Sequence, residues 1–202
     1  TSGWLSRWKE HHWIGFKKAH REKDDADTLA AKTWTANIFS DILKEFHPRD
    51  IYNADETGIY FRALPDGTLA ERAEKKARDR ITALVANNMD GSDKQPLLII
   101  GKSLNLRCFR GIAHKPLPYK ANKNAWMTGE LFRVWLKELN CEMRVQRRNV
   151  VMIVDICSAH PQDNTDKLSN VRLMFLPLNA TSFIQPCDMG IIRNLKAFNR
   201  RK

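Results

Sequence analysis

The stretch VVMIVDICSAHP, residues 150–161, decides the fold class. Its first five residues, Val150 to Val154, form an uninterrupted apolar run, which is typical of a strand buried on both faces of a sheet. Asp155 follows this run directly, and ligands of open α/β sheets bind at the carboxyl ends of the strands. We therefore expect an α/β fold with a ligand-binding edge beside Asp155.

Further strands are predicted on both sides of this stretch. Short apolar segments precede it, and they are bounded by residues that favour turns: Glu56-Thr57-Gly58, Pro65-Asp66-Gly67 and Met89-Asp90-Gly91-Ser92. The segments are 51–52 leading into Asp55, 59–61, 81–86 and 96–100. They indicate an antiparallel meander, and the apolar run at 171–176 adds a later strand. Residues 102–125 show no clear period.

Helical periodicity predicts helices on the faces of this sheet. Residues 26–46 repeat apolar side chains at helical spacing as far as His47-Pro48, where the proline ends the helix. Thr128 is predicted to cap a second helix, and a third begins at Gly190. The apolar face of the second helix consists of Leu131, Phe132, Trp135, Leu136 and Leu139. We expect the Trp residues to pack in the core or between helices, in preference to serving as base-stacking platforms.

The composition limits the classes of function. The 202 residues include 34 Lys and Arg against 23 Asp and Glu, which gives a net charge of +11. The apolar runs are a few residues long, whereas a membrane-spanning helix needs about 20, so we expect no membrane partner. The excess positive charge predicts a polyanion partner, nucleic acid first, and a solvated surface that maintains solubility is the alternative. The residues expected to contact phosphates are Lys75, Lys76, Arg78, Arg80, Arg144, Arg147 and Arg148.

The cysteines and the start of the chain indicate an intracellular protein. Cys108, Cys141, Cys157 and Cys187 are far apart and form no C-x-x-C pair. We expect reduced thiols in the core, with a metal site as the alternative. The first residues, TSGWLSRWKEHHW, lack the apolar stretch of a signal peptide, so no export is indicated.

Three Asp residues are candidates for chemistry because they follow predicted strands. Asp55 closes the first segment of the meander, Asp155 follows the apolar run, and Asp188 lies in the first turn of the final helix. Three carboxylates at one sheet edge suit hard cations such as Mg²⁺, and two such ions can support an in-line phosphodiester displacement. The alternative for each Asp is a turn residue or a helix N-cap. Glu56 points to the opposite face if its strand continues, and His160 is expected at the polar surface or in a hydrogen bond rather than as a ligand.

Six stretches occur in an order that identifies a family. They are NADETGIYFRALPDGTL (53–69), RITALVANNMDGSDKQPLLIIGKS (80–103), CFRG (108–111), YKANKNAWMTGELFRVWL (119–136), VVMIVDICSAHP (150–161) and VRLMFLPLNATSFIQPCDMGIIRNLKAF (171–198). Together they resemble the transposase domain of the pogo/Tigger family, a group that includes jerky-like proteins and centromere protein B. GWLSRWKEHHWIGFKK (3–18) resembles the last helix of the DNA-binding helix-turn-helix module that precedes this domain in the family.

The resemblance implies the domain organisation. Residues 1–18 would be a remnant of the helix-turn-helix module, 19–46 a linker and helix, and 47–202 an RNase H-like endonuclease domain, truncated at its C-terminus. The implied fold is an α/β mixed sheet flanked by helices. We therefore expect the chain to be a fragment of a longer protein.

The resemblance also implies the chemistry. By their motifs Asp55, Asp155 and Asp188 match the family's catalytic residues, which hold two Mg²⁺ or Mn²⁺ ions. The implied activity is cleavage of a DNA strand by water, followed by attack of the freed 3′-hydroxyl on target DNA. Double-stranded DNA is the expected partner and the nucleus the expected location, and a homodimer on DNA is left open.

Two positions depart from the family pattern. The family usually has Asn after the second Asp and Gln after the third, where this chain has Ile156 and Met189. Side chains beside metal ligands orient them, and their loss typically costs about 10- to 100-fold in affinity or activity. The alternative function is therefore a domesticated, non-catalytic DNA-binding or chromatin protein in the manner of centromere protein B. A third candidate function is an RNA-directed ribonuclease with the same fold.

Overall fold

The computed structural model describes residues 27–60, 80–161 and 168–200. The expected helix-turn-helix remnant at 1–18, most of the linker that follows it and the predicted turn at Pro65-Asp66-Gly67 lie outside the described residues. Within the described ranges, no helix has the length and apolar character needed to cross a membrane.

A six-stranded mixed sheet forms the centre of the domain. In chain order its strands are β1 (Ile51–Tyr60), β2 (Arg80–Asn88), β3 (Leu98–Gly101), β4 (Tyr119–Ala121), β5 (Val150–Val154) and β6 (Val171–Phe175). Their order across the sheet is β4-β3-β2-β1-β5-β6. Strands β1, β2 and β3 pair antiparallel, as the meander predicts, whereas β5 runs parallel to both β1 and β6, and β4 runs parallel to β3.

Strand β1 is longer than the sequence predicts. The predicted turn at Glu56-Thr57-Gly58 is wrong, because β1 continues through these residues and pairs with β2 as far as Tyr60 opposite Arg80. This pairing satisfies backbone groups that would otherwise need other partners. Asp55 therefore lies in the middle of a strand, opposite Val85, and not at a strand end. The turn predicted at residues 89–92 is present, with Gly91 at a φ of 74°.

Helices cover both faces of the sheet. They are α1 (Thr28–Trp34), α2 (Ser40–Glu45), α3 (Gly129–Val145), α4 (Thr181–Ile184) and α5 (Ile192–Arg200). A π-helical turn, Thr35–Phe39, joins α1 to α2, so the helix predicted at 26–46 is confirmed as one helical segment. A second π-helical turn, Cys187–Ile191, leads into α5, so the final helical segment starts before Gly190.

Helix α3 covers one face. Thr128 caps it as predicted, and the Thr128 side chain accepts a hydrogen bond from the Leu131 amide at 3.3 Å. The predicted apolar face of the helix packs on the sheet, where burial stabilises by roughly 1.5–3 kcal/mol per large apolar side chain. This core includes Tyr52, Ala54, Leu84, Phe132, Trp135, Leu136, Leu139, Val150, Met152 and Val154.

The opposite face packs on the N-terminal and C-terminal helices. One cluster contains Trp34, Ile42, Ile51, Val151, Ile153 and Leu176. A second cluster joins Val85 to Cys187 and Ile192. Strand β5 thus contributes to both faces and is buried along its whole length, as its apolar sequence predicts.

Strand β4 lies in the segment 102–125, where the sequence predicts no regular element. Its first residue, Tyr119, crosses over the neighbouring strand at Gly101, and a Cβ atom at Gly101 would lie 2.0 Å from the Tyr119 hydroxyl. That hydroxyl donates a hydrogen bond to the Ser103 carbonyl at 2.8 Å. Glycine at position 101 therefore permits the close approach of β4 to β3.

All four cysteines are free thiols, as expected, but the expectation that they lie in the core is only partly right. Cys187 is buried and Cys157 is half-buried. Cys108 and Cys141 are exposed, because the first lies in the irregular segment before β4 and the second on the solvent side of α3.

Candidate active site

Two of the three predicted carboxylates lie side by side on neighbouring parallel strands. Strands β1 and β5 are in register from Ile51 opposite Val151 to Asn53 opposite Ile153. Continuing this register places Asp55, within β1, next to Asp155, which directly follows β5. The predicted position of Asp155 after its strand is therefore confirmed.

A buried amide network fixes the third carboxylate relative to β1. The Asn53 side chain donates a hydrogen bond to Gln185 Oε1 at 2.7 Å and accepts one from the Cys187 amide at 3.0 Å. The Gln185 side chain donates to the Ala54 carbonyl at 3.2 Å. Asn53 and Gln185 are both almost fully buried. These contacts attach the π-helical turn that carries Asp188 to the strand that carries Asp55.

The electrostatics reflect this convergence of acidic groups. Burial and the negative charges of Asp188, Glu56 and Asp155 raise the pKa of Asp55 to about 8. The same acidic surroundings act on the Cys187 thiol, since burial first and then Asp55, Asp188 and Glu56 raise its pKa to about 12. The edge of the sheet is thus a site of concentrated negative charge in a protein of net charge +11.

His160 links two of the acidic residues on the α3 side of the sheet. Its Nε2 lies 3.0 Å from Glu56 Oε1, and its Nδ1 lies 3.0 Å from the Asp155 carbonyl oxygen and 2.8 Å from Asp155 Oδ1. The His160 side chain is fully buried and packs on the Phe132 ring with centroids 4.2 Å apart. Burial lowers the pKa of His160, but the hydrogen bonds with Asp155, Cys157 and Glu56 outweigh it and raise the pKa to about 12.

The alternatives left open for His160 and Glu56 are thereby resolved. His160 is a buried hydrogen-bonded residue and not a surface residue. Glu56 points to the opposite face from Asp55, because the strand continues through both. The sequence does not predict that His160 joins Glu56 to Asp155. The signal available was the short spacing of Asp155 and His160, which lets the loop after β5 fold back on itself.

The donor set suits a hard divalent cation. Carboxylate oxygens are the ligands that Mg²⁺ prefers. Oδ1 of Asp155 is buried and, apart from its ion pair with His160, receives no hydrogen bond from the described residues. Among the described residues, one set of three potential metal ligands has its ligand atoms within 4.8 Å of one another. It consists of Asp155, Cys157 and His160. Both ring nitrogens of His160 already contact oxygen atoms, so this set is better described as a hydrogen-bond network than as a metal site.

The side chains that replace the family's amides are at the surface. Ile156 is 38% exposed and Met189 is 69% exposed. Each directly follows one of the carboxylates, so apolar groups face solvent where amides would offer hydrogen bonds.

The basic residues predicted to contact phosphates occupy different parts of the molecule. Arg80 lies at the start of β2, and Arg144 and Arg147 are exposed at the end of α3. Arg148 is held by ion pairs, at 2.8 Å to Asp50 and 3.3 Å to Asp93, so its guanidinium is engaged in the fold rather than free for phosphate. The remaining predicted residues, Lys75, Lys76 and Arg78, lie outside the described ranges.

The Arg144–Arg148 cluster lies at the far end of the sheet from the carboxylates. Its ion-pair partner Asp50 precedes β1, whereas Asp55 is five residues further along, a distance of about 17 Å in a strand. Arg80 lies at the other end of β1 from Asp50, because it pairs with Tyr60, which follows Asp55 by five residues in the same strand.

Comparisons with known sequences identify the family. A family model described as DDE superfamily endonuclease matches residues 78–202. The chain is 37% identical to Tigger transposable element-derived protein 4 of Mus musculus, over 97% of this chain and 39% of that protein. It is 36% identical to the Jerky protein homolog of Homo sapiens, over 96% of this chain and 37% of that protein. The chain thus spans less than half the length of these relatives.

A comparison with solved structures concerns the fold. The structure is similar to one described as the Mos1 transposase catalytic domain and Raltegravir with Mn, with a TM-score of 0.55 and 13% identity, over 92% of this chain and 76% of that chain. At this identity the likeness establishes the RNase H-like architecture alone. Since the family model covers more than half of the sequence, the chain belongs to the DDE superfamily endonucleases, in the pogo/Tigger group that its motifs indicate.

Proposed function

We propose that this domain is a metal-dependent DNA endonuclease in which Asp55, Asp155 and Asp188 hold two divalent cations, Mg²⁺ or Mn²⁺. The observation that supports the proposal most is that Asp155 and Asp188 lie near enough to Asp55 for their negative charges to raise its pKa, together with its burial. Burial first and then the neighbouring negative charges raise the pKa of Asp55, and a bound cation would neutralise those charges.

The chain's own residues contribute position and rigidity. Asp55 is fixed by strand pairing, Asp188 by the Asn53–Gln185 network, and Asp155 by its contact with His160. Two divalent ions, when bound, supply activation of a water molecule and stabilisation of the leaving oxygen in an in-line displacement. Water would cleave one phosphodiester bond, and the 3′-hydroxyl so released would attack a phosphodiester of target DNA, with one bond broken for each bond formed.

The proposed partner is double-stranded DNA, encountered in the nucleus, with homodimerisation on the DNA as an open part of the proposal. The net charge of +11 supports this partner. The proposed phosphate contacts are Lys75, Lys76, Arg78 and Arg80, with Arg144 and Arg147 as a second group near the end of α3. Arg148 is no longer part of the set, because its charge is paired within the fold.

Nicking of supercoiled plasmid DNA in Mg²⁺ or Mn²⁺ tests the activity. We expect the wild type to convert supercoiled to open-circular DNA, and Asp155→Ala to lose this conversion while keeping the wild-type circular dichroism spectrum. A triple variant with Ala at positions 55, 155 and 188 serves as the control for contaminating nuclease. Nicking no greater than that of the folded triple variant would exclude the proposed activity.

A second candidate is a non-catalytic DNA-binding protein, which the exposed apolar side chains of Ile156 and Met189 favour. This function requires DNA binding that is sensitive to salt, independent of divalent metal and unchanged by Asp155→Ala. Titration of the domain with Mn²⁺ by calorimetry separates the two candidates. Saturable binding that Asp155→Ala abolishes supports the endonuclease, whereas equal heats for both proteins support the non-catalytic candidate.

A further inference from the structure

We propose that Trp126 and Arg80 form a stacking platform for an unpaired nucleobase of DNA, on the face of the sheet that carries Glu56 and His160. This inference rests on the proposed function, because it assumes that the ligand is DNA. It adds a ligand class to the site: a nucleotide whose base is out of the double-helical stack, bound with little preference for sequence.

Trp126 is an exposed aromatic side chain where the sequence predicts a core anchor. Its side chain is 56% exposed, whereas Trp34 and Trp135 are buried as expected. The Arg80 guanidinium carbon lies 4.9 Å from the centroid of the Trp126 ring, so a cation covers part of the indole. An exposed indole with a cation beside it offers a π surface and a positive charge to the same ligand.

The turn that presents Trp126 is held by side chains on both sides of it. The Asn122 side chain donates to the Trp126 carbonyl at 2.6 Å and accepts from the Trp126 amide at 3.2 Å. The preceding residue, Ala125, is fully buried, and its carbonyl accepts a hydrogen bond from the Thr82 hydroxyl at 2.7 Å.

This turn also stores backbone strain. Ala125 has a φ of 53°, in the left-handed region that non-glycine residues rarely adopt. Such a conformation is unfavourable by itself and persists where surrounding contacts over-determine it. The contacts that fix Ala125 therefore also fix the backbone of Trp126, which lowers the entropy lost when a ligand stacks on its ring.

The platform lies on the α3 side of the sheet, the face of Glu56, whereas Asp55 points to the opposite face. The Arg80 Nη1 atom is 3.5 Å from the position that a Cβ atom would take at Gly58. Gly58 and Glu56 point to the same face, about 7 Å apart along the strand. Glu56 contacts His160, which in turn contacts Asp155. This series of contacts links the platform to Asp155, one of the proposed metal ligands.

The chemistry of the platform selects an unstacked base. Bases inside a duplex have both faces covered by their neighbours, whereas a base at an end or in an overhang has a free face. Stacking on an aromatic side chain is favourable for every base, because each has a π face. The Arg80 charge would lie near the adjoining phosphate, which favours a nucleotide over a free base.

Fluorescence anisotropy with two DNA ligands tests the platform. The ligands are a blunt duplex and the same duplex with a short 3′ single-stranded overhang, both in EDTA so that no cleavage occurs. We expect the wild type to bind the overhang ligand more tightly. Trp126→Ala should weaken binding of that ligand by about 5- to 150-fold, which corresponds to the stacking energy of one base, and should leave blunt-duplex binding nearly unchanged.

Two further variants complete the design. Trp126→Leu keeps an apolar side chain but lacks a π surface, so it should lose the overhang preference as Trp126→Ala does. Val145→Ala removes another exposed apolar side chain, at the far end of α3, and should behave as the wild type. Retention of the overhang preference in both Trp126 variants would overturn the platform alone. Failure of the wild type to bind either DNA at low salt would overturn the proposed function as well.

Discussion

Asp55 combines a rigid position with an unfavourable charge. It lies within a strand that is paired on both sides near this residue, so it cannot move away from Asp188 and Asp155. Its raised pKa results from burial first and then from the negative charges of Asp188, Glu56 and Asp155. This rigidity holds Asp55 near other negative charges in the metal-free protein. It would also keep the Asp55 carboxylate in place when a cation binds.

We predict that Asp55→Asn stabilises the metal-free protein, and that the gain increases with pH. The pKa of Asp55 is about 8 in the folded state against an ordinary value of 3.8, so the folded state retains a proton that the unfolded state loses. This favourable contribution is complete below pH 4 and is lost as the pH rises through 8. Asparagine does not titrate, so the variant should gain on the order of 2 kcal/mol over the wild type at pH 9 after allowance for solvent screening.

Thermal unfolding in EDTA at pH 5 and pH 9 measures this effect. Asp41→Asn is the matched control, since Asp41 is an exposed carboxylate paired with Lys44 on a helix surface. A difference between Asp55→Asn and the wild type that is the same at both pH values would contradict the raised pKa of Asp55.

We predict that His160→Ala lowers the free energy of unfolding by about 3 kcal/mol, because it leaves the charges of Glu56 and Asp155 without their buried partner. In a double-mutant cycle with Glu56→Ala, the two changes should couple by about 1–3 kcal/mol. Urea denaturation measures both quantities. His47→Ala, at an exposed histidine, should cost less than about 1 kcal/mol, and strictly additive effects of the cycle would show that His160 acts by packing on Phe132 alone.

The sequence predicts individual site residues better than their connections. Asp155 is identifiable because an uninterrupted apolar strand precedes it. The contact between His160 and Glu56 cannot be identified from the sequence. It depends on the strand register that places Glu56 on the α3 side of the sheet, and the two residues are 104 positions apart. For Arg148 the basic sequence context is misleading, since Asp50 and Asp93 approach it from distant parts of the chain.

At the scale of elements, the attachment of the last π-helical turn to β1 positions Asp188. We predict that Asn53→Ala lowers the free energy of unfolding by about 2–3 kcal/mol, because it leaves buried groups of Gln185 and Cys187 without partners. If the domain binds Mn²⁺ as proposed, the same variant should lose about 10- to 100-fold in affinity.

Urea denaturation and calorimetric titration with Mn²⁺ separate these two effects. Asn140→Ala is the control, because Asn140 also accepts a hydrogen bond, from the Asn170 amide at 2.8 Å, but lies away from the carboxylates. It should destabilise the protein without changing the Mn²⁺ affinity. Equal Mn²⁺ affinity for Asn53→Ala and Asn140→Ala would show that Asp188 does not depend on this attachment.

The elements differ in how far their sequences predict them. Helix α3 is predicted well because its apolar face and its cap at Thr128 are local signals. The end of β1 is predicted poorly. Glu56-Thr57-Gly58 has the composition of a turn, but pairing with β2 holds it as a strand. Strand β4 is missed because its three residues carry no period and their pairing depends on the absence of a side chain at Gly101.

At the scale of the whole molecule, the proposed phosphate contacts form two groups along the sequence, residues 75–80 and residues 144–147. We predict that charge reversal at Lys75 and Lys76, which precede Arg80 in the chain, flattens the salt dependence of duplex binding. The log–log slope should fall by about 0.9 for each phosphate that the variant no longer neutralises. Reversal of Arg144 and Arg147 should have a smaller effect, because these residues lie at the far end of the sheet.

Anisotropy titrations of a blunt duplex between low and moderate salt give these slopes. Each double reversal changes the net charge by the same amount, so the two variants control for each other. An equal reduction of slope in both would mean that DNA follows the whole length of α3, and no reduction in either would place the binding surface elsewhere.

The central position of β1 has a consequence for local unfolding. Residues 52 and 53, just before Asp55, lie between β2 and β5 and pair with both strands. Hydrogen exchange in this part of β1 should therefore require an opening close to global unfolding. The Asp188 amide donates to the Gln185 carbonyl in an exposed turn, at 3.2 Å, and should exchange through a smaller opening. The carboxylates would then belong to different cooperative units, and a cation shared between them would slow exchange in the turn while leaving the strand almost unaffected.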